Sequence, residues 1–268
     1  MTAVHAWRCL LGILKRESLR FLHQRERFIA ALVRPLLLLL IFAAGFRAIL
    51  GVAIIDPYET YIPYEVYITP GLIAMIQLFN GMQNSLSMVY DREMGSMRTL
   101  LVSPAPRWYL LFCRLLAGTL VSVLQVYVFL AAAALFDIRL PALGYLALLP
   151  ALIASGLMLG AMGMVLSSVI RQLENFAGIM NFVIFPMFFL SSALYPLWRI
   201  RESSDLLYRL CMLNPFTYAV ELIRFSAYLK TNGAAAAVVV GAFMGFAALA
   251  VYAYDPARGI MSRKNTNN

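Results

Sequence analysis

At least six long apolar stretches, joined by short segments that alternate between strongly basic and electrically balanced, constrain this chain more than any other feature. Lipid offers no partners to backbone N–H and C=O groups, so an apolar run of about 20 residues that crosses a bilayer must pair its backbone internally, as a helix. The candidate spans are residues 35–53, 68–89, 108–135, 142–170, 176–195 and 233–254. The fold class expected is therefore an all-α membrane protein with six transmembrane helices.

The charges orient these spans. Residues 1–34, 90–114, 171–174 and 255–268 carry 15 of the 22 Lys and Arg against 6 acids, and the other segments carry 7 of each sign. The whole net charge of +9 thus falls on one set of segments. Lys and Arg concentrate in cytoplasmic loops, so this set of segments, and with it both termini, is expected on the cytoplasmic side of the membrane, taken to be a bacterial inner membrane. A basic chain could also suggest nucleic acid. With 62% apolar residues, however, too little polar surface remains for a soluble domain of 268 residues, and no nucleic-acid partner is expected.

Residues 1–34 are too charged and too long for a signal peptide. Trp7, Leu10, Leu11, Leu14, Phe21 and Leu22 recur at helical spacing, with Arg8, Lys15, Arg16, Arg20 and Arg27 opposite. This predicts an amphipathic helix lying in the plane of the cytoplasmic leaflet, the alternative being a solvated leader helix. Arg47 falls near the end of the first span, where it can snorkel to the outer interface or act as a functional intramembrane charge. In residues 197–232 the apolar runs are interrupted by Arg209, Asn214, Pro215, Glu221 and Arg224. A seventh span there would also put the basic tail outside. The stretch reads instead as an outer element that dips into the membrane and returns, with Asn214 capping a helix that starts at Pro215. No soluble domain or internal repeat is visible. The chain reads as a single membrane domain over 1–268, with a leader (1–34), a six-span core (35–254) and a cytoplasmic tail (255–268).

Chemistry of its own is hard to find. The only histidines, His5 and His23, lie in the leader, which argues against a Ser-His hydrolase within the membrane. There is no H-E-x-x-H and no G-x-x-x-x-G-K-[ST], so neither zinc hydrolysis nor ATP use by that route is expected. Cys9, Cys113 and Cys211 fall on different elements and suggest neither a metal site nor a disulfide. The expected set is no catalytic residue, no metal and no cofactor in this chain.

Two features within spans invite a function. Gln77, Asn80, Asn84 and Ser87, with Gln83 beside them, share a face of the second span. Such amides either bond neighbouring helices or line a hydrated path. In the fifth span, Asn181, Phe185, Phe188, Phe189 and Ser192 cluster around Pro186, which removes a backbone hydrogen bond and favours a kink. The aromatics either pack or line the same path. Gly156 with Gly160, and Gly241 with Gly245, permit close helix approach.

The third feature is the segment 91–104, DREMGSMRTLLVSP, followed by Ala105, Pro106 and Arg107. It resembles the cytoplasmic signature of ABC-2 type transporter permeases, the membrane subunits of ATP-binding-cassette exporters. Residues 185–197 (FPMFFLSSALYPL) look like that family's fifth span with its outer turn, and residues 213–224 (LNPFTYAVELIR) like its N-P-x-[TS]-Y segment. The three occur in the family's order, and the resemblance, with the same six-span plan, covers nearly the whole chain.

The resemblance implies roles for particular residues. Arg92, Glu93, Gly95, Ser96 and Arg98 would belong to a coupling helix that docks into an ATPase subunit. Gln77, Asn80, Asn84, Asn181, Phe185 and Phe189 would line a translocation path between two protomers. Asn214, Pro215 and Tyr218 would belong to re-entrant outer helices between spans five and six. The partners implied are two copies of an ATP-binding-cassette ATPase, which would hold ATP and Mg, a second permease chain, most simply another copy of this one, and membrane lipid. The expected function is export of an amphiphilic or hydrophobic cargo such as a drug, lipid or lipid-linked glycan. A polytopic membrane enzyme and a membrane scaffold are the alternatives.

Overall fold

The computed structural model describes residues 3–23, 25–46, 56–58, 62–94, 106–170 and 172–254. Its regular elements are helices: α1 (Ala3–His23), α2 (Arg25–Phe46), α3 (Tyr64–Glu93), α4 (Arg107–Ala133) with a short 3-10 turn (Ala134–Phe136), α5 (Gly144–Val169), α6 (Leu173–Phe189), α7 (Leu197–Ser203), α8 (Asp205–Leu213), α9 (Pro215–Ala227) and α10 (Gly233–Ala253). Three of them, Trp108–Phe136, Gly144–Val169 and Gly233–Ala253, are long and apolar enough to cross a membrane. Leu32–Ile41 and Leu173–Phe189 are shorter apolar helices, and α3 reaches 30 residues but carries the polar stripe.

At the centre lies α5, packed against α3, α4, α9 and α10. Glycine makes the α3–α5 crossing possible. A side chain at Gly81 would come within 3.0 Å of the Gly160 Cα, and one at Gly163 within 2.9 Å of the Gly81 carbonyl oxygen. A Cβ at Gly160 would strike Leu115 of α4 at 2.6 Å. The Gly156–Gly160 pair is thus buried in a close contact. Gly241 and Gly245 meet nothing within 4 Å, so the second small-residue pair packs against no helix among the described residues. Around the crossing, Ile68, Leu72, Ile73, Ile76, Leu148, Leu152, Leu159, Phe216 and Ile223 fill one continuous core. Burial of each such side chain contributes roughly 1.5–3 kcal/mol against water, while against lipid the gain comes from packing.

Two boundaries differ from those read in the sequence. The leader and first span are divided between α1 and α2, the second starting at Arg25, ten residues before Pro35, which lies buried within α2. Arg47 and residues 47–53 lie outside the described residues. The fifth apolar run continues to Tyr195, but the helix stops at Phe189. Leu190 leaves helical geometry at φ −91° and ψ 54°. The Asn214 amide then donates to the Met187 and Leu190 carbonyls, both at 2.7 Å, replacing helix bonds that the turn forgoes. Its Oδ1 accepts from the Phe216 N–H at 3.0 Å and so caps α9, with Pro215 at the first helical position as the sequence indicated. One side chain therefore closes the end of α6 and opens α9.

Between them, α7 and α8 are short and largely exposed, whereas α9 is buried among α3, α5 and α10. Arg224, which breaks the apolar pattern of this stretch, is 3% exposed. It donates to the Ser192 carbonyl at 2.7 Å, pairs with Glu221 and stacks 4.2 Å from the Tyr67 ring centroid. Tyr67 donates to that same carbonyl at 3.0 Å, and Tyr64 to Leu194 at 2.8 Å, so the start of α3, the end of α6 and α9 are bound into one unit.

Candidate functional site

At the opposite end of α3, three consecutive residues each hold a different part of the bundle. The Asp91 carboxylate accepts from Arg114 of α4 at 2.7 Å and lies 3.6 Å from Arg16 of α1. Asp91 and Arg114 are both about 5% exposed, and Arg114 also donates to the Ser87 hydroxyl at 2.8 Å. A buried pair of this kind is bound to its partner chiefly by the cost of losing it: removing one member costs about 3–5 kcal/mol.

Arg92 points the other way. It donates to the Ser167 carbonyl at the end of α5 at 2.9 Å and lies 5.3 Å from the ring centroid of Tyr254, just past α10. The Tyr254 hydroxyl closes this contact on Ser167 Oγ at 2.8 Å. Glu93 Oε1 accepts the N–H of Leu173, the first residue of α6, at 2.9 Å. A carboxylate there meets an orphan donor and the positive end of the helix dipole. The D-R-E triplet is therefore a junction on which α1, α4, α5, α6 and the Tyr254 turn converge. Sequence reasoning has Arg92 and Glu93 offered outward to a partner; in the structure Arg92 is half-buried and bonds the end of α5, while Glu93 bonds the start of α6 and remains exposed. Gly95, Ser96 and Arg98 lie outside the described residues.

The polar stripe of α3 is matched along its length by α4 and α5. Gln77, buried, donates to the Leu152 carbonyl at 2.7 Å and accepts from the Ser155 hydroxyl. Asn80 donates to the Gln125 side chain. Asn84 donates to the Arg114 carbonyl at 3.4 Å, over Gly118, where a Cβ would lie only 2.5 Å from the Asn84 amide nitrogen. Asn181, Phe185 and Phe189 lie elsewhere, on the exposed side of α6 with Phe182, which is 79% exposed. The six residues read as one path thus form two groups: three amides bonded between helices and three side chains on an open face. Of the outer set, Asn214 and Pro215 join α6 to α9, and Tyr218 lines a cavity of ≈ 280 Å³ with Tyr67, Trp198, Glu221 and Arg224.

Arg114, Ser167 and Tyr254 were not singled out by the sequence reading. A signal existed for the first. Arg114 is seven residues into a strongly apolar helix, where a charge requires a partner, and the acids that most nearly precede it in the chain are Glu93 and Asp91.

A multi-pass α-helical bundle whose D-R-E signature joins five elements at one end has the form of a transporter membrane subunit. The model of the ABC-2 type transporter family matches residues 9–228, and the chain belongs to that family. It is 29% identical over 176 residues, 65% of this chain, to an Escherichia coli K12 protein named as the multidrug ABC transporter permease YbhR, of which the match spans 46%. The chain thus matches about half the length of that relative. It is also 26% identical to proteins named as the transport permease ycf38, over 80% of this chain and 72% of the relative in Porphyra purpurea, and over 81% and 73% in Cyanophora paradoxa.

Proposed function

We propose that this transporter subunit spans the membrane six times with both termini in the cytoplasm, pairs with a second copy of itself and with two ATPase subunits, and exports an amphiphilic cargo. Its leader helix rests in the cytoplasmic leaflet, and its outer helices dip into the membrane and return. ATP can drive a change only by binding one global state more tightly than another. Closure of the ATPase dimer would then displace the segment after Glu93 and, through it, rock one protomer against the other.

The observation that carries this reading is the spread of contacts made by Asp91, Arg92 and Glu93. A push on residues 94–105 reaches α4 and α1 through Asp91, α5 through Arg92 and α6 through Glu93 without needing a flexible link. Gly95→Pro should abolish cargo-stimulated ATP hydrolysis in the assembled complex. Glu93→Ala should reduce it strongly while the permease still inserts and assembles. Undiminished stimulation in both variants would remove the coupling assignment. The multidrug name of the E. coli relative fits an amphiphilic cargo, as does the aromatic open face of α6.

A further inference from the structure

The sequence puts Arg34 at the cytoplasmic edge of the first span, but the structure puts it halfway up the bundle. Its guanidinium carbon lies 4.3 Å from the Phe79 ring centroid and 6.0 Å from that of Phe185. Phe79 is 15 residues from Tyr64 and 14 from Glu93, the two ends of α3. At 1.5 Å per residue each end is thus roughly 21–23 Å away. A cation at that depth is costly in hydrocarbon, and snorkelling to either interface would have to cover most of that distance. No carboxylate among the described residues pairs with it. Arg34 is exposed, not buried, and the rings beside it continue along α6 into Phe182 and Phe189.

An exposed guanidinium beside two aromatic rings at mid-height, with no carboxylate partner among the described residues, is an arrangement for holding an anion that carries an apolar body. The guanidinium supplies a forked set of N–H donors for a carboxylate, sulfonate or phosphate, and the rings supply apolar contact for the chain or ring system attached to it. Stacked on Phe79, the guanidinium is held in place while its edge stays free. We infer that Arg34, Phe79 and Phe185 form a recognition site for anionic amphiphiles, with Arg34 setting the preference for negative charge. This deepens the export reading and rests on it for the claim that the bound molecule is cargo. The binding site itself needs only the membrane location.

The test uses the full-length permease alone in lipid nanodiscs, so that it does not depend on energy coupling. The probes are 11-(dansylamino)undecanoate and its methyl ester, which share an apolar body and fluorophore and differ in charge. The wild type should bind the carboxylate at least tenfold more tightly than the ester. Arg34→Gln should bring the two together, and Arg34→Lys should keep part of the difference. Phe185→Ala should weaken both probes about equally. Arg199→Gln removes the same charge from an exposed position on α7 and should leave the ratio unchanged, which separates local recognition from the attraction of a basic protein for any anion. A ratio that survives Arg34→Gln, or that falls as far with Arg199→Gln, overturns the site. If the ratio behaves as expected but the carboxylate fails to stimulate the assembled ATPase, the site stands and the cargo reading falls.

Discussion

The Asp91–Arg114 pair shows what a single residue decides in this bundle. Arg114 has one hydrogen-bonded charge partner and a serine hydroxyl, and its Nε has no partner among the described residues. Asp91→Leu would strand a buried cation, with an expected loss of about 3–5 kcal/mol. Adding Arg114→Met should restore most of that loss, because an apolar pair needs no desolvation to be offset. Thermal unfolding of the two single variants and the double variant in one detergent would measure it, and additive losses would show that the residues are not coupled. Gln77→Leu is a milder case, removing interhelical bonds worth about 0.6 kcal/mol on average within membranes. Since Gln77 is buried against Leu152 and Ser155, its loss should alter stability and leave the cargo profile unchanged. The spacing of Gln77, Asn80 and Asn84 on one face was legible in the sequence. Their partners were not, because helical periodicity fixes which residues share a face and says nothing about which neighbour that face meets.

Elements behave here according to how their ends are satisfied. The apolar run through Tyr195 reads as continuous span, yet α6 ends six residues earlier because Asn214, more than 20 positions away, takes up its last carbonyls. Hydropathy records side chains and is blind to that exchange of backbone partners. The other half of the same motif, Asn214 before Pro215, was readable, since an N-cap and its helix are adjacent in sequence. Asn214→Ala should therefore cost more than the ~1 kcal/mol typical of a lost N-cap, because two carbonyls at the end of α6 lose their donor as well. Glycine gives the complementary contrast. Gly163→Val would drive a side chain into Ser85 and the Gly81 backbone and should prevent assembly of the bundle. Gly241→Ala, with open space around it, should be neutral or should stabilise α10 by up to about 1 kcal/mol through helix propensity. Comparable thermal stability for the two variants would mean that the α3–α5 crossing is looser than described.

For the whole molecule, the two ends of α3 have opposite characters. One carries the Asp91–Glu93 junction, close to the basic segments 1–34 and 90–114, and the other carries Tyr64, Tyr67 and the Arg224 cluster. On the charge division legible in the sequence the first end is expected to face the cytoplasm, and the structure adds which residues belong to each end. Gln172, exposed at the start of α6 beside Glu93's partner Leu173, shares the first end. Asn232 caps α10 next to the ≈ 280 Å³ cavity and shares the second. With the three native cysteines replaced by alanine, Asn232→Cys should react with a membrane-impermeant maleimide applied to spheroplasts, and Gln172→Cys only after lysis. Each site sits at a helix start and not in a buried core, so failure to react reports sidedness more than packing. Labelling of Gln172→Cys from outside, with Asn232→Cys protected until lysis, would invert the topology and put the D-R-E junction out of reach of any cytoplasmic ATPase. That single outcome would remove both the positive-inside assignment and the coupling mechanism built on it.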